Sequence, residues 1–285
     1  MARDRISLER GKARGLTLLA ALGLAAGCAP AAPAQTGSDG APTIVSLNPC
    51  LDAILVEIAP PDQVLALSHY SRDPGSSSIP QSLAARYGVT GGTAEEVIAL
   101  QPDLVLASTF LPQPTRSALE RAGLRVETFG SPTTIAESVA QVRNLSELAG
   151  AKARGEALVR QIATPANNPE HAPISALLWQ EGEIVAGEQT LIAQLLREEG
   201  FTSHAAARGL QQADRVSLES LLADPPALVL VAGDAPGQHH PVLAGALKTT
   251  AIAPLDPALL YCGGPTIPKA RARLRAIRAE LERRP

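Results

Sequence analysis

Two stretches of the chain share one pattern of apolar and polar positions. "EEVIALQPDLVLAS" runs from Glu95 to Ser108, and "ESLLADPPALVLVA" from Glu219 to Ala232. At a constant offset of 124, Glu95, Ala99, Pro102, Val105 and Leu106 meet Glu219, Ala223, Pro226, Val229 and Leu230. Each stretch opens as a short helical pattern and passes a proline into a continuous Val/Leu run. Such runs suit strands of a parallel sheet buried on both faces. Thr93 and Ser217 stand where N-caps belong, which places Glu95 and Glu219 in the first turn of matching helices. Thr93 and Glu96 have the spacing of a capping box. A repeat this long implies two lobes of similar plan, not a solenoid.

The remaining pattern fills in both lobes. "TIVSL" (43–47) and "QVLALS" (63–68) read as strands with a helix from Cys50 to Ile58 between them. "LPQPTRSALERAG" (111–123) reads as a helix and "LRVETF" (124–129) as a strand. Over 133–150, Ile135, Val139, Val142, Leu145 and Leu148 recur at helical spacing, with Gly150 as a stop. "AKARGEALVRQIA" (151–163) is a further helix, broken by the prolines of 164–173, and "ISALLW" (174–179) opens a new strand. The last segment, 267–285, is a basic amphipathic helix whose charges are expected to form a solvated face.

The front of the chain does not belong to this pattern. Arg3, Arg5, Arg10, Lys12 and Arg14 precede an uncharged apolar run at 15–27, the layout of a secretory signal too short to span a bilayer. The run ends at Cys28 in "LAAGC", which resembles a bacterial lipoprotein box and makes Cys28 the expected lipidated residue. Residues 29–42, rich in Pro, Ala and Gly, read as a tether. Without the five basic and two acidic residues of the first 14, the 25 basic and 28 acidic residues become 20 against 26, a net −6. That balance excludes a nucleic-acid surface. Cys50 and Cys262 make neither a disulfide framework nor a zinc spacing. Pairing with each other in an oxidising compartment and burial of Cys50 as a small hydrophobe both stay open.

An exported two-lobed chain carrying "EEVIALQPDLVLA" resembles the periplasmic substrate-binding proteins of cobalamin and ferric-siderophore ABC importers. "IVSLNPCLDAILVEI" (44–58), "VLALSHYSRDP" (64–74) and "GEQTLIAQLLREEGF" (187–201) match the same family, and the likeness covers 43–285. The resemblance implies an α/β fold of two Rossmann-like lobes with central, mainly parallel sheets, joined by one linking helix, with the ligand in the cleft between. The expected organisation is a signal at 1–27, a tether at 28–42, an N-terminal lobe at 43–150, a linking helix and linker at 151–173, and a C-terminal lobe at 174–285. At ~1.5 Å per residue the 151–163 helix is short for that role.

The resemblance also implies that Glu95 and Glu219, one per lobe, dock on arginines of an inner-membrane permease, although a carboxylate in a first turn is favourable whatever the function. Open α/β sheets bind ligands at the carboxyl ends of their strands. The loops there supply Asn48, Cys50, His69, Tyr70, Arg72 and Phe110 from the first lobe, and Trp179, Gln180, Arg215 and Tyr261 from the second, as ligand-binding candidates. Tyr70 stands where the cobalamin-binding relative has a pocket tyrosine, whereas Val89 and Ala213 replace two of its aromatics. Trp179 offers stacking on a macrocycle or plain core packing. Corrinoid, ferric siderophore and haem are the ligand classes implied. His69, His239, His240, Tyr70, Tyr261, Cys50 and Cys262 raise direct coordination of a metal or haem, but no metal-ligand spacing supports it. No G-x-S-x-G, Walker A or G-x-G-x-x-G occurs in the mature chain, so a binding protein is expected, with an extracytoplasmic hydrolase as the rival.

Overall fold

A computed structural model describes residues 40–164, 172–241, 243 and 249–283. The signal segment 1–27, Cys28, all but the last residues of the tether, and residues 165–171 of the linker lie outside the described residues.

The first half forms a parallel five-stranded sheet. It comprises β1 (Ile44–Ser46), β2 (Val64–Ser68), β3 (Val89–Thr90), β4 (Leu104–Ser108) and β5 (Arg125–Phe129), in the order β3-β2-β1-β4-β5. Helix α1 (Pro49–Ile58) connects β1 to β2 and α3 (Ala94–Leu100) leads into β4, with α4 (Gln113–Arg121) between β4 and β5; α2 (Gln81–Ala84) is a single turn. The second half holds β6 (Ile174–Gln180), β7 (Ile184–Val185), β8 (Phe201–Ser203), β9 (Asp214–Arg215), β10 (Leu228–Ala232) and β11 (Ala251–Pro254). Its sheet runs β11-β10-β6-β7-β9, with β8 also on β6, and only the pairs made by β7 are antiparallel. Helices α7 (Leu191–Glu198), α8 (His204–Ala207) and α9 (Leu218–Ala223) accompany it, and α10 (Thr266–Glu282) closes the chain.

The repeated pattern is a repeated structure. β4 and β10 begin and end at the same offset of 124, as do the first residues of α3 and α9. Leu104, Leu106, Leu228 and Leu230 all face one large core, while Val105 and Val229 face the outer helices in two smaller ones. Strict alternation inside an all-apolar run is what a sheet covered on both faces demands. Thr93 and Ser217 cap their helices, accepting from the amides of Glu96 and Ser220, each at 3.3 Å. The capping box does not close. The Glu96 carboxylate instead accepts from the Gly91 amide at 2.6 Å and the Thr90 hydroxyl at 2.8 Å, so it braces the turn before the helix.

Two helices lie between the sheets in sequence, α5 (Ile135–Leu148) and α6 (Lys152–Ile162). They pack closely because Gly155 has no Cβ; one placed there would lie 2.2 Å from the Ser146 hydroxyl. α6 also touches α1 and α10. The inner faces of both sheets and the apolar sides of α1, α5, α6 and α10 form one continuous core. This core spans both halves within the compact unit of residues 34–285. The amide of Ile135 at the start of α5 donates to Gln194 Oε1 of α7 at 2.9 Å, a further tie between the halves.

α10 corrects the expectation of a solvated basic face. Arg271 and Arg278 are buried. Arg271 donates to Glu198 and to the carbonyls of Ile162 and Thr164, and Arg278 to the carbonyls of Gly200 and Ala172 and to Glu282. Arg275 forks onto buried Glu199 at 2.7 and 3.1 Å. The arginines satisfy carbonyls and carboxylates at the ends of α6 and α7, because buried acceptors need donors and a guanidinium supplies five. Among the described residues, no helix is long and apolar enough to cross a membrane.

Candidate functional site

The carboxyl ends of β1 and β5 and the opposing end of β6 enclose a cavity of about 270 Å³. From the first half come Asn48, Cys50 and Leu51 at the start of α1, the loop Phe129–Thr133 after β5, and Gln141 of α5. The second half contributes Gln180 at the end of β6, the segment Gln189–Ile192 with Gln212 and Ala213, and the loop Leu259–Gly263. Not one Asp, Glu, Lys, Arg or His lines it among the described residues. Polar capacity comes from amides. Gln212 Nε2 donates to Gln189 Oε1 at 2.8 Å, Gln189 Nε2 to Gln211 Oε1 at 3.3 Å, and Gln141 Nε2 to the Gly130 carbonyl at 2.8 Å.

Of the ten candidates, Asn48, Cys50, Gln180 and Tyr261 line this cavity. Asn48 is the N-cap of α1, its Oδ1 accepting from the amides of Cys50 at 2.8 Å and Leu51 at 3.2 Å. Cys50 and Cys262 are joined as a disulfide, with Cα atoms 5.1 Å apart. Both line the cavity wall. The "YCGGP" loop reaches α1 and α5 because its glycines leave room. Gly264 sits at φ +63°, and a Cβ on it would lie 2.9 Å from Ile54. The Gly264 amide donates to Ser138 Oγ of α5 at 2.7 Å.

His69, Tyr70 and Arg72 occupy the 3₁₀ turn His69–Arg72 that follows β2. Phe110 follows β4 and is 83% exposed; Tyr70 is 49% exposed. Since β2 and β4 flank β1 in the sheet, these two aromatics stand on either side of the Asn48 loop at its carboxyl edge. They do not line the cavity itself. His69 and Tyr70 hold each other with ring centroids 4.1 Å apart, and Arg72 Nη2 donates to the Tyr87 carbonyl at 2.7 Å. Arg215 is exposed on β9, next to the cavity segment but not on it.

Trp179 is a correction. It is 2% exposed, packed with Leu177, Val185, Val216 and Val231, and its indole Nε1 donates to the Val216 carbonyl at 3.1 Å. Trp179 and Gln180 are adjacent on β6, so their side chains take opposite faces, and Gln180 has the cavity side. Among the described residues, no group of three or more His, Cys, Asp or Glu is arranged to hold a metal. The side chain of His239 lies outside the described residues. The carboxylates of "WQEGE" work as backbone acceptors, Glu181 for the Asp234 amide at 3.0 Å and Glu183 for that of Leu218 at 3.2 Å.

Electrostatics change at the mouth. Burial raises the Tyr261 phenol pKa first, and the charges of Glu181, Asp256 and Asp73 raise it further. Asp73 ends the first half's 3₁₀ turn, so both halves bring acidic groups to this rim.

The 3₁₀ turn is held by Asp52, which is fully buried and accepts from the Ser71 hydroxyl at 2.6 Å and the Ser68 amide at 2.9 Å. Burial pushes its carboxyl up to about 7, outweighing the hydrogen bonds that favour ionisation. Between about pH 4, where the unfolded chain ionises, and 7, the folded state holds the extra proton. Stability from this group therefore falls as pH rises through that window. Asp52→Asn, which keeps an acceptor and stays neutral, is expected to match the parent near pH 4 and exceed it above pH 7. Urea midpoints across pH 4–8 check this; parallel curves for the two proteins would contradict it.

The loop after β5, Gly130–Thr133, and the Gln189–Thr190 segment were not among the sequence candidates. The first ends a strand at the carboxyl edge, so the rule that selected the other loops also pointed to it. Gln141, inside α5, carries no local signal.

A family model described as periplasmic binding protein matches residues 44–249. No curated protein sequence matches. Solved structures of similar fold include the periplasmic haem-binding protein HutB of Vibrio cholerae, at TM-score 0.68 and 20% identity, over 82% of this chain and 98% of that one. The periplasmic vitamin B12-binding protein BtuF of Vibrio cholerae has TM-score 0.64 and 19% identity, over 86% and 99%. A possible iron-binding periplasmic solute-binding protein from Staphylococcus epidermidis has TM-score 0.66 and 17% identity, over 84% and 98%.

Proposed function

Because the chain belongs to the periplasmic binding protein family, we propose that it is the substrate-binding component of an ABC importer. It captures a cobalamin-like or ferric-siderophore ligand between its two halves and delivers it to an inner-membrane permease. Residues 1–27 export the chain, and Cys28 anchors it by lipid on the periplasmic side of the membrane. Domain limits follow the same reading, with lobes at 43–150 and 174–285 and the connection at 151–173.

The observation that carries the ligand class is the uncharged cavity walled by both halves. A charged group buried against such a wall would lose hydration with no counter-charge in return. Carboxamides lose little there, because Asn48, Gln141, Gln180, Gln189 and Gln212 can exchange hydrogen bonds with them. Corrinoids carry carboxamides around the ring, whereas a ferric tris-catecholate is a trianion and haem carries two propionates. At about 270 Å³ the cavity lies just below the range of about 300–1,000 Å³ common for small-molecule sites. An edge of the ligand enters it, and the exposed faces of Tyr70 and Phe110 are placed to stack on the remainder.

Haem is the second reading, supported by one phenol, Tyr261, on the wall. The raised pKa of that phenol works against a phenolate ligand. Calorimetric titration of the mature protein with cyanocobalamin, haem and a ferric tris-catecholate is the test. Cyanocobalamin is expected to bind with Kd of about 1 μM or tighter, about 8 kcal/mol, and at least tenfold more tightly than the catecholate. Haem binding with a shifted Soret band would transfer the reading to haem. Turnover of a bound compound, or no binding in the panel, would end it.

A further inference from the structure

The Cys50–Cys262 disulfide closes a loop of 212 residues and passes from one half of the molecule to the other. Cys50 lies in the first turn of α1, directly after β1 of the first sheet. Cys262 lies in the loop between β11 of the second sheet and α10. Both are in the wall of the cavity, and half-buried Cys50 gives access to the bond from that side. The halves already share a continuous apolar core through α1, α5, α6 and α10. The disulfide therefore adds a covalent tie at the cavity, whose lining takes Leu51, Leu178 and Leu195 from that core.

We propose that this disulfide sets the aperture of the cleft and so the size of the group admitted to it. The inference rests on the reading of the cavity as a binding site only for its ligand consequence; the mechanical part stands by itself. Disulfide geometry keeps Cα atoms between roughly 4.4 and 6.8 Å. From the observed 5.1 Å, these two points can separate by less than about 2 Å while the bond is intact. Rotation of one half against the other must then pivot close to the cavity. The Gly130–Thr133 loop abuts the fastened 259–263 loop, with Pro132 against Gly263, and so moves with it, whereas Gln189–Ile192 lies outside both fastened segments. Reduction by a dithiol breaks the sulfur–sulfur bond by thiolate attack and mixed-disulfide exchange. It leaves two cysteine thiols and the oxidised cyclic reagent, and the 259–263 loop then keeps to α1 and α5 through noncovalent contacts, Gly264 on Ile54 and its amide on Ser138.

The test compares three forms of the mature protein: oxidised, dithiol-reduced, and the Cys50→Ser/Cys262→Ser double variant. Hydrogen exchange is read on peptides covering 129–133 and 259–264, with β10 peptides as the control for an intact fold. The two forms lacking the bond are expected to exchange about tenfold faster in both loops, with β10 unchanged, as for a local opening. Equal exchange in all three forms overturns the proposal. Loss of β10 protection in both bond-free forms also overturns it, since the bond would then hold the fold rather than the aperture. In parallel titrations, loss of the bond is expected to shift relative affinity at least severalfold toward cyanocobalamin over its smaller nucleotide-free analogue dicyanocobinamide. An unchanged ratio with faster loop exchange removes the size selection and leaves the aperture. Absence of binding in every form, with exchange still faster, sinks the transport reading and keeps the mechanical one.

Discussion

Glu199→Ala is expected to lower stability by about 3 kcal/mol, among the largest losses available from one side chain outside the apolar core. Glu199 caps the end of α7 and is 2% exposed. Its oxygens accept from Arg275 at 2.7 and 3.1 Å, and Arg271 Nε lies 3.8 Å away. Arg275 is partly exposed and regains water when its partner is removed. Arg271 is buried and, among the described residues, keeps Glu198 alone as a counter-charge, so the cost falls mainly there. Breaking a buried pair by removing one partner costs about 3–5 kcal/mol, and the exposure of Arg275 places this case at the lower end. The contrast is Glu120→Ala, which breaks an i,i+4 pair with Arg116 where both side chains are more than 40% exposed. That change is expected to cost less than about 0.5 kcal/mol. Urea unfolding of both variants checks the argument. Equal losses for the two would show that the α10 arginines contribute no more than a surface pair.

The second large effect concerns transport. Glu95→Arg combined with Glu219→Arg is expected to reduce permease-dependent uptake to background while ligand affinity stays within twofold. Both carboxylates are exposed in the first turns of α3 and α9, and neither lines the cavity. The Glu219 carboxyl is held below its usual pKa by its own backbone amide and the Ser217 hydroxyl, so it stays ionised. If each meets an arginine of the permease, truncating one partner of such a pair costs about 2–5 kcal/mol, and reversal adds repulsion. Single reversals should each lose most of the uptake, since each half contributes one contact. Full uptake by the double variant would show that docking uses another surface. Lost ligand affinity would show that the changes act on the cleft instead.

The matched placement of Glu95 and Glu219 was legible because it depends on local rules repeated twice. An N-cap, a first-turn acid, a proline and an apolar run each act within a few residues, and the same signals recur 124 positions later. Strands β4 and β10 fell where the continuous Val/Leu runs placed them. Trp179 was ambiguous for a local reason as well. A strand end exposes one face and buries the other, and only the register of β6 against β10 and β7 assigns tryptophan to the core. The α10 arginines misled because amphipathic spacing reports which face is apolar, not whether the polar face meets water or buried carbonyls.

The chain alone determined two similar α/β lobes, their helix starts, and the carboxyl-edge loops from which a site is built. These follow from backbone geometry and the period of apolar residues, which neighbours in sequence enforce. Tertiary structure decided the rest: that Cys50 meets Cys262, that glutamines from four separate segments face one uncharged cavity, and that Gly264 leaves room for Ile54. Those facts depend on groups far apart in the chain reaching van der Waals distance, which no local pattern encodes.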